Sequence, residues 1–183
     1  FNSGLGEILK HGLIKDALYF EWLRDNSDKI AALDVQVLEE MIYRSCEIKR
    51  AVVENDPTEK GERALLNFGH TLGHAIEKQK NFELYHGECV VLGMIAALRI
   101  SVERGMISEE EFSDICSAFR TYDFPVNTDG ITVDSVIAAS KNDKKMDAGR
   151  VKFILLKKIG EAYIDMTVDD DTMRRALETV VTE

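Results

Sequence analysis

Between Gly61 and Glu77 the chain reads Gly-Glu-Arg-Ala-Leu-Leu-Asn-Phe-Gly-His-Thr-Leu-Gly-His-Ala-Ile-Glu, and this segment restricts the fold more than any other. Wound as one helix at about 100° per residue, it places Arg63, Asn67, His70 and His74 within an arc of roughly 60°. Ala64, Leu65, Leu66, Phe68, Leu72, Ala75 and Ile76 take much of the rest of the circumference. A helix that is apolar around most of its surface is expected to be buried. Burying an arginine, an asparagine and two histidines in one line is costly unless they meet partners, a metal or a ligand. A solvated polar stripe is the plain alternative, and the apolar opposite face argues against it. Gly69 and Gly73 each cost a helix about 1 kcal/mol relative to alanine. Their presence predicts that another backbone or a ligand comes close.

Two histidines one helical turn apart, here His70 and His74, can hold one metal ion from a single helix, with a further ligand from elsewhere. Spacing alone therefore suggests zinc on His70, His74 and His86. By itself His86, in Tyr85-His86-Gly87-Glu88, is equally consistent with a helix-start histidine bonded locally. Glu7 and Lys10 lie three apart and share a helix face. A carboxylate there can ligate a metal and an ammonium can bind an anion, although an exposed ion pair is the simpler reading of these two alone. Lys49, Asp56 and Glu59, taken singly, read as solvated charged surface.

The remaining chain reads mostly as helix. Apolar spacing predicts helices over 6–25 and from an Asp34 cap through Val35, Leu38, Met41, Ile42 and Cys46. A third spans about 61–80. A fourth runs from His86 to Arg104 and stops at Gly105. Ser108 with Glu111 forms a capping box for a fifth, Thr132 caps a sixth to about Lys141, and a last helix covers 171–181. Residues 150–165 break the pattern: two apolar runs flank Ile159-Gly160, as in a small hairpin. The prediction is a mainly α single domain over 1–183, a helical bundle with one β-hairpin.

A formal charge of −10 carries no basic footprint for nucleic acid. The most apolar run, Cys89 to Ile100, is too short and interrupted to span a bilayer. Three cysteines without a CxxC pair suit a reducing, cytoplasmic setting. The opening Phe1-Asn2-Ser3-Gly4 lacks an initiator Met, so a fragment is expected.

Taken in order, Gly4-Leu5-Gly6-Glu7-Ile8-Leu9-Lys10, Lys49 to Asp56, Gly61 to Ala75, His86-Gly87-Glu88 and Asp143-Lys144-Lys145 resemble 3-dehydroquinate synthase. The NFGHTxGHA segment followed by HGE is the specific part. Glu62 departs from the pattern, standing where the family usually has an apolar residue, but lies off the polar stripe. The resemblance implies the helical C-terminal domain of the dehydroquinate synthase-like fold. It also implies zinc (or cobalt) on Glu7, His70 and His86, which moves His74 to the substrate side, contrary to spacing. The implied reaction converts 3-deoxy-arabino-heptulosonate 7-phosphate to 3-dehydroquinate with loss of phosphate, a lyase step of the shikimate pathway and aromatic amino acid biosynthesis. NAD oxidises and later re-reduces a ring carbon. A phosphate and a carboxylate call for cations, for which Lys10, Lys49, Arg63, Lys144 and Lys145 are candidates. Asn67 can hydrogen-bond without adding charge, and His74 can shuttle a proton; Lys10, Asn67 and His74 are the expected catalytic residues.

No glycine-rich nucleotide cradle occurs in the chain. The family binds NAD mainly on a preceding α/β domain, so this segment alone is expected to be inactive and the complete protein to be a homodimer. The rival readings are another sugar-phosphate cyclase, a metal-dependent polyol dehydrogenase of the same superfamily, and a metal-stabilised binding module without catalysis.

Overall fold

The computed structural model describes residues 1–59, 61–141, 146–147 and 150–182. Nine α-helices, one 3-10 helix and four short strands are described. The expected mainly helical domain is found. Its centre is α6 (His86–Glu103), buried along almost its whole length, with Val90, Val91, Leu92, Met94, Ala96, Leu98 and Ile100 fully enclosed. The other elements are laid around it.

The predicted helix over 6–25 is two helices. The first, α1 (Asn2–Lys15), ends where Asp16 turns extended, and the Asp16 side chain then caps α2 (Ala17–Asp25) by accepting from the Tyr19 N–H at 2.9 Å. The break lets Tyr19, Phe20 and Leu23 enter the core and leaves Leu18 in solvent. It also frees the Leu13 carbonyl, which accepts the Gly160 N–H from the hairpin tip at 2.8 Å. A tertiary contact thus satisfies a helix-end carbonyl. The short α3 (Ser27–Ala31) was not anticipated. Asp34 caps α4 (Val35–Asn55) as expected, accepting from Gln36 and Val37.

The predicted continuous helix over 61–80 is also interrupted. Glu62–Asn67 forms a 3-10 helix, anchored by the Asp56 carboxylate, which accepts from the Gly61 N–H at 2.7 Å and the Arg63 N–H at 3.1 Å. Phe68 is extended and Gly69 takes φ 78° before α5 (His70–Gln79) begins. The expected close approach is real, and it is to a backbone. A methyl group on Gly69 would lie 2.6 Å from the Val90 carbonyl oxygen, and one on Gly93 would lie 1.9 Å from the Gly69 oxygen. So α5 and α6 cross backbone to backbone, which puts His70 and His74 beside His86 at the start of α6. There Gly87 meets α1: its N–H donates to Ser3 Oγ at 2.9 Å, and a β-carbon on it would lie 2.4 Å from the Ser3 carbonyl oxygen. The same crossing brings Glu7 of α1 to the cluster.

The caps at the C-terminal side follow the sequence. The first helix beyond Gly105, α7 (Glu109–Thr121), opens on the Ser108–Glu111 capping box, and Thr132 Oγ1 accepts from the Ser135 N–H at the start of α8 (Val133–Lys141). Two residues, β1 (Met146–Asp147), pair antiparallel with β2 (Arg150–Val151). The predicted hairpin is β3 (Phe153–Lys158) against β4 (Glu161–Asp165), with Ile154 opposite Ile164. It is fastened to α6 by Ser101, whose hydroxyl accepts from the Leu156 N–H at 3.1 Å. The last helix, α9 (Asp170–Leu177), is shorter than expected, because residues 179–182 turn to pair with Thr128. No helix among the described residues is long and apolar enough to cross a membrane.

Candidate metal centre and oxyanion pocket

Three elements converge on one point. The rings of His70 and His74 on α5 and His86 on α6 lie 5.2–5.6 Å apart, and each can place a ligand nitrogen within 4.8 Å of the other two. From α1, Glu7 Oε1 lies 3.5 Å from His70 Nε2, while Glu7 Oε2 accepts from Lys10 Nζ at 2.5 Å. His70 Nδ1 contacts the Phe68 carbonyl at 3.1 Å. A carbonyl only accepts, so Nδ1 carries the ring proton in the neutral imidazole and Nε2 presents a lone pair.

The protonation states follow from burial and neighbours. Burial pushes the Glu7 carboxyl up, but the adjacent Lys10 ammonium and its hydrogen bond, with smaller help from His70 and His11, outweigh it. The net shift is downward and Glu7 is ionised. Burial first, then the Lys10 charge, pushes His70 down to about 4, so it is neutral near pH 7. Two acceptor atoms, Glu7 Oε1 and His70 Nε2, therefore face each other. Glu7 Oε1 is buried and has no hydrogen-bond partner, which is costly as it stands. Two ligands about 2.0–2.1 Å from a tetrahedral zinc lie about 3.4 Å apart. The observed 3.5 Å matches that edge, so a divalent cation fits this pair. His86 Nδ1 lies 3.4 Å from Glu77 Oε1, the sort of outer carboxylate that orients a metal-binding histidine.

Beside the cluster opens a cavity of about 210 Å³ whose wall includes Glu7, Lys10, Lys49, Arg63, Asn67 and His70. The structure thus brings together most of the residues singled out in the sequence. Lys10 is only 1% exposed, so the Glu7–Lys10 pair is not the surface ion pair that spacing alone favoured. Asn67 Nδ2 donates to Glu59 Oε1 at 2.9 Å, and Arg63 donates to the Pro57 carbonyl at 3.0 Å. A second cavity of about 220 Å³ shares Glu59 and Asn67 and reaches Thr71 and Lys152. Glu62 points away from the pocket to Lys15 and Asn55. Lys144 and Lys145 lie outside the described residues.

The sequence reading passed over His11 and Glu77, and it took Glu59 and Asp56 for solvated surface, whereas Glu59 lines both cavities and Asp56 caps the 3-10 helix. Helical periodicity offered a signal for two of them. His11 stands one turn after Glu7, and Glu77 stands two turns after His70 on the same face. Glu59 and Asp56 act across loops, where periodicity says nothing.

The fold and the cluster define a helical domain in which three histidines able to hold a divalent metal stand beside a cavity lined by Lys10, Lys49 and Arg63 together with Glu7 and Glu59. The family model described as 3-dehydroquinate synthase C-terminal matches residues 4–146, and the chain belongs to that family. Curated 3-dehydroquinate synthases agree. That of Acetivibrio thermocellus is 42% identical over 180 residues, covering 97% of this chain and 50% of the relative. That of Ruminiclostridium cellulolyticum is 38% identical over 176 residues, covering 96% and 49%. The chain spans about half the length of the curated relatives it matches. Among solved structures, 2-epi-5-epi-valiolone synthase from Streptomyces hygroscopicus subsp. jinggangensis 5008, with NAD+ and Zn2+ bound, superposes with a TM-score of 0.88 at 27% identity, over 97% of this chain and 50% of that one. A 2-deoxy-scyllo-inosose synthase complexed with carbaglucose-6-phosphate, NAD+ and Co2+ shares the fold, with a TM-score of 0.82 at 24% identity over 98% and 52%.

Proposed function

We propose that this chain is the metal- and substrate-binding domain of a 3-dehydroquinate synthase, a cytoplasmic lyase that forms a carbocycle from 3-deoxy-arabino-heptulosonate 7-phosphate with loss of phosphate. The observation that carries this reading is the Glu7–His70 pair of facing acceptors, set beside a cavity walled by Lys10, Lys49 and Arg63. Glu7, His70 and His86 hold zinc or cobalt. When bound, the metal supplies a Lewis acid that lowers the pKa of substrate hydroxyls.

The chain's own residues divide the remaining work. Lys10 holds Glu7 through Oε2 and so keeps Oε1 directed at His70. Lys49 and Arg63 take the substrate carboxylate, for which the planar guanidinium is well shaped. Asn67 orients the sugar chain through neutral hydrogen bonds. His74, next to the metal ligands but not one of them, moves the proton at the reacting substrate oxygen. Lys144 and Lys145 supply further positive charge for the phosphate. NAD binds mainly on the half of the protein that this chain does not include, and the complete protein works as a homodimer.

The test is a phosphate-release assay with zinc, NAD and the seven-carbon keto-acid phosphate. The full-length protein turns over; residues 1–183 alone fold, as read by circular dichroism, and release no phosphate. Turnover by the chain alone would mean the cofactor site is misplaced. The likeness to 2-epi-5-epi-valiolone synthase favours a second reading, a sugar-phosphate cyclase of another specificity. Preference for a heptulose phosphate lacking the carboxylate would select it.

A further inference from the structure

Three of the chain's four histidines make up the cluster; His11 stands apart from it. It lies on α1 one turn beyond Glu7, is 5% exposed, and borders the same cavity as Lys10, Lys49 and Arg63. Its Nδ1 is 2.8 Å from the hydroxyl of Ser45 on α4, itself buried. The other ring nitrogen, Nε2, makes no hydrogen bond among the described residues. It is not sealed off either: Glu7 Oε1 is the one fully buried, unpartnered side-chain atom among them. Nε2 therefore reaches open space, and the cavity is the open space that His11 borders.

We propose that His11 is a further ligand-binding residue of this pocket, fixed through Nδ1 by Ser45 and donating its Nε2–H to an oxyanion held by Lys10, Lys49 and Arg63. A neutral imidazole carries one N–H and one lone pair. Beside an anion the lone pair repels and the N–H binds, so the anion selects the Nε2–H tautomer. A serine hydroxyl can donate as readily as accept, so Ser45 supports that tautomer by donating to Nδ1. Burial, then the Lys10 charge, pushes His11 down to about 4, with Lys49 acting in the same sense and Glu7 against it. His11 is thus a donor that adds no fourth cation to the wall. The chemistry recognised is that of an oxyanion, which a substrate supplies as a carboxylate or as a phosphate. This inference rests on the cavity being the oxyanion pocket of the proposed function, and not on the reaction carried out there.

The experiment uses the 183-residue chain without metal, labelled in its histidine rings, titrated separately with pyruvate and with inorganic phosphate at neutral pH. Pyruvate is expected to shift the His11 ring nitrogens, with Nε2 protonated and Nδ1 not. His11→Phe should weaken pyruvate binding roughly tenfold, the scale of a hydrogen bond to a charged group. Ser45→Ala, which keeps the imidazole and frees it, should weaken binding less and leave mixed tautomers. A shift with phosphate in place of pyruvate supports the same contact and assigns it to the phosphate end of the ligand. If Lys49→Ala loses anion binding while His11→Phe, still folded, binds as the wild type does, the role of His11 is refuted and the pocket stands. If the wild-type chain binds neither anion, both the His11 contact and the pocket reading fall.

Discussion

Glu7 Oε1 and His70 Nε2 face each other at 3.5 Å with no proton between them. The Phe68 carbonyl takes the only ring proton of the neutral His70, and Lys10 pairs with the other Glu7 oxygen. Like-signed lone pairs at this spacing are unfavourable unless a cation joins them. A divalent cation placed between the two atoms would relieve that repulsion.

Removing either partner should abolish tight metal binding. His70→Ala and Glu7→Gln are expected to weaken zinc affinity by more than the roughly 10–100-fold typical of losing an outer-sphere partner. Glu77→Gln, which alters only the group behind His86, should fall within that smaller range. Competition with a chromogenic chelator measures all three. Undiminished zinc in His70→Ala would remove it from the ligand set.

The metal-free domain should lose stability as the solution is acidified, through its buried neutral histidines. His11 and His70 both titrate near 4 when folded and near 6.5 when unfolded. Between these values the unfolded chain binds more protons, so stability is complete above about 6.5 and falls as pH drops toward about 4. Each histidine contributes on the order of 3 kcal/mol over that window. Glu7, held below its ordinary value, acts in the same direction. Denaturant unfolding at several pH values checks this. His11→Phe should flatten the slope; an unchanged slope would show that His11 does not titrate there.

Local chemistry made some of this legible in advance. Asp34, the Ser108–Glu111 pair and Thr132 act within four residues of themselves, and the helices they open were all predictable from sequence. The breaks at Asp16 and Gly69 were not. An aspartate inside an apolar helical pattern ends the helix here because the hairpin tip waits to take the Leu13 carbonyl, and Gly69 turns because α6 lies against it. Both causes are distant in sequence. The stripe from Arg63 to His74 was therefore read from the wrong geometry, a continuous helix. Its members Arg63, Asn67 and His70 still share a cavity wall, because a 3-10 segment followed by a helix keeps them on one side. The tie between His11 and Ser45 spans 34 positions, and no local pattern announces it.

The backbone crossing of α5 and α6 should tolerate no side chain at Gly93. A β-carbon there would sit 1.9 Å from the Gly69 oxygen and 2.6 Å from the Gly73 nitrogen, so the helices must separate. Gly93→Ala is expected to cost at least about 2 kcal/mol. For a chain of this size that lowers Tm by about 4–8 °C, and zinc affinity should fall with it because the three histidines move apart. Gly105→Ala, with nothing within 4 Å of its β-carbon but φ at 68°, should reduce Tm without affecting zinc. Equal zinc loss in both variants would break the link drawn between the crossing and the cluster.

His74 is where two lines of reasoning part. Its spacing from His70 and its place in the three-histidine cluster make it a candidate ligand. The family resemblance gives that position to Glu7, whose oxygen already stands at ligand-edge distance from His70, and leaves His74 to handle a proton. The two assignments predict different behaviour of His74→Ala in the full-length protein. Loss of a ligand strips zinc and activity together. Loss of a general acid–base group leaves zinc bound and lowers kcat by roughly 10²–10⁴-fold. We expect the second: in the proposed assignment Glu7, His70 and His86 would provide three protein ligands and leave a fourth position open for substrate, the usual catalytic zinc arrangement. Zinc stoichiometry and kcat at saturating substrate, measured on one preparation, separate the cases. Zinc lost in proportion to activity would make His74 a ligand and displace Glu7 from the site.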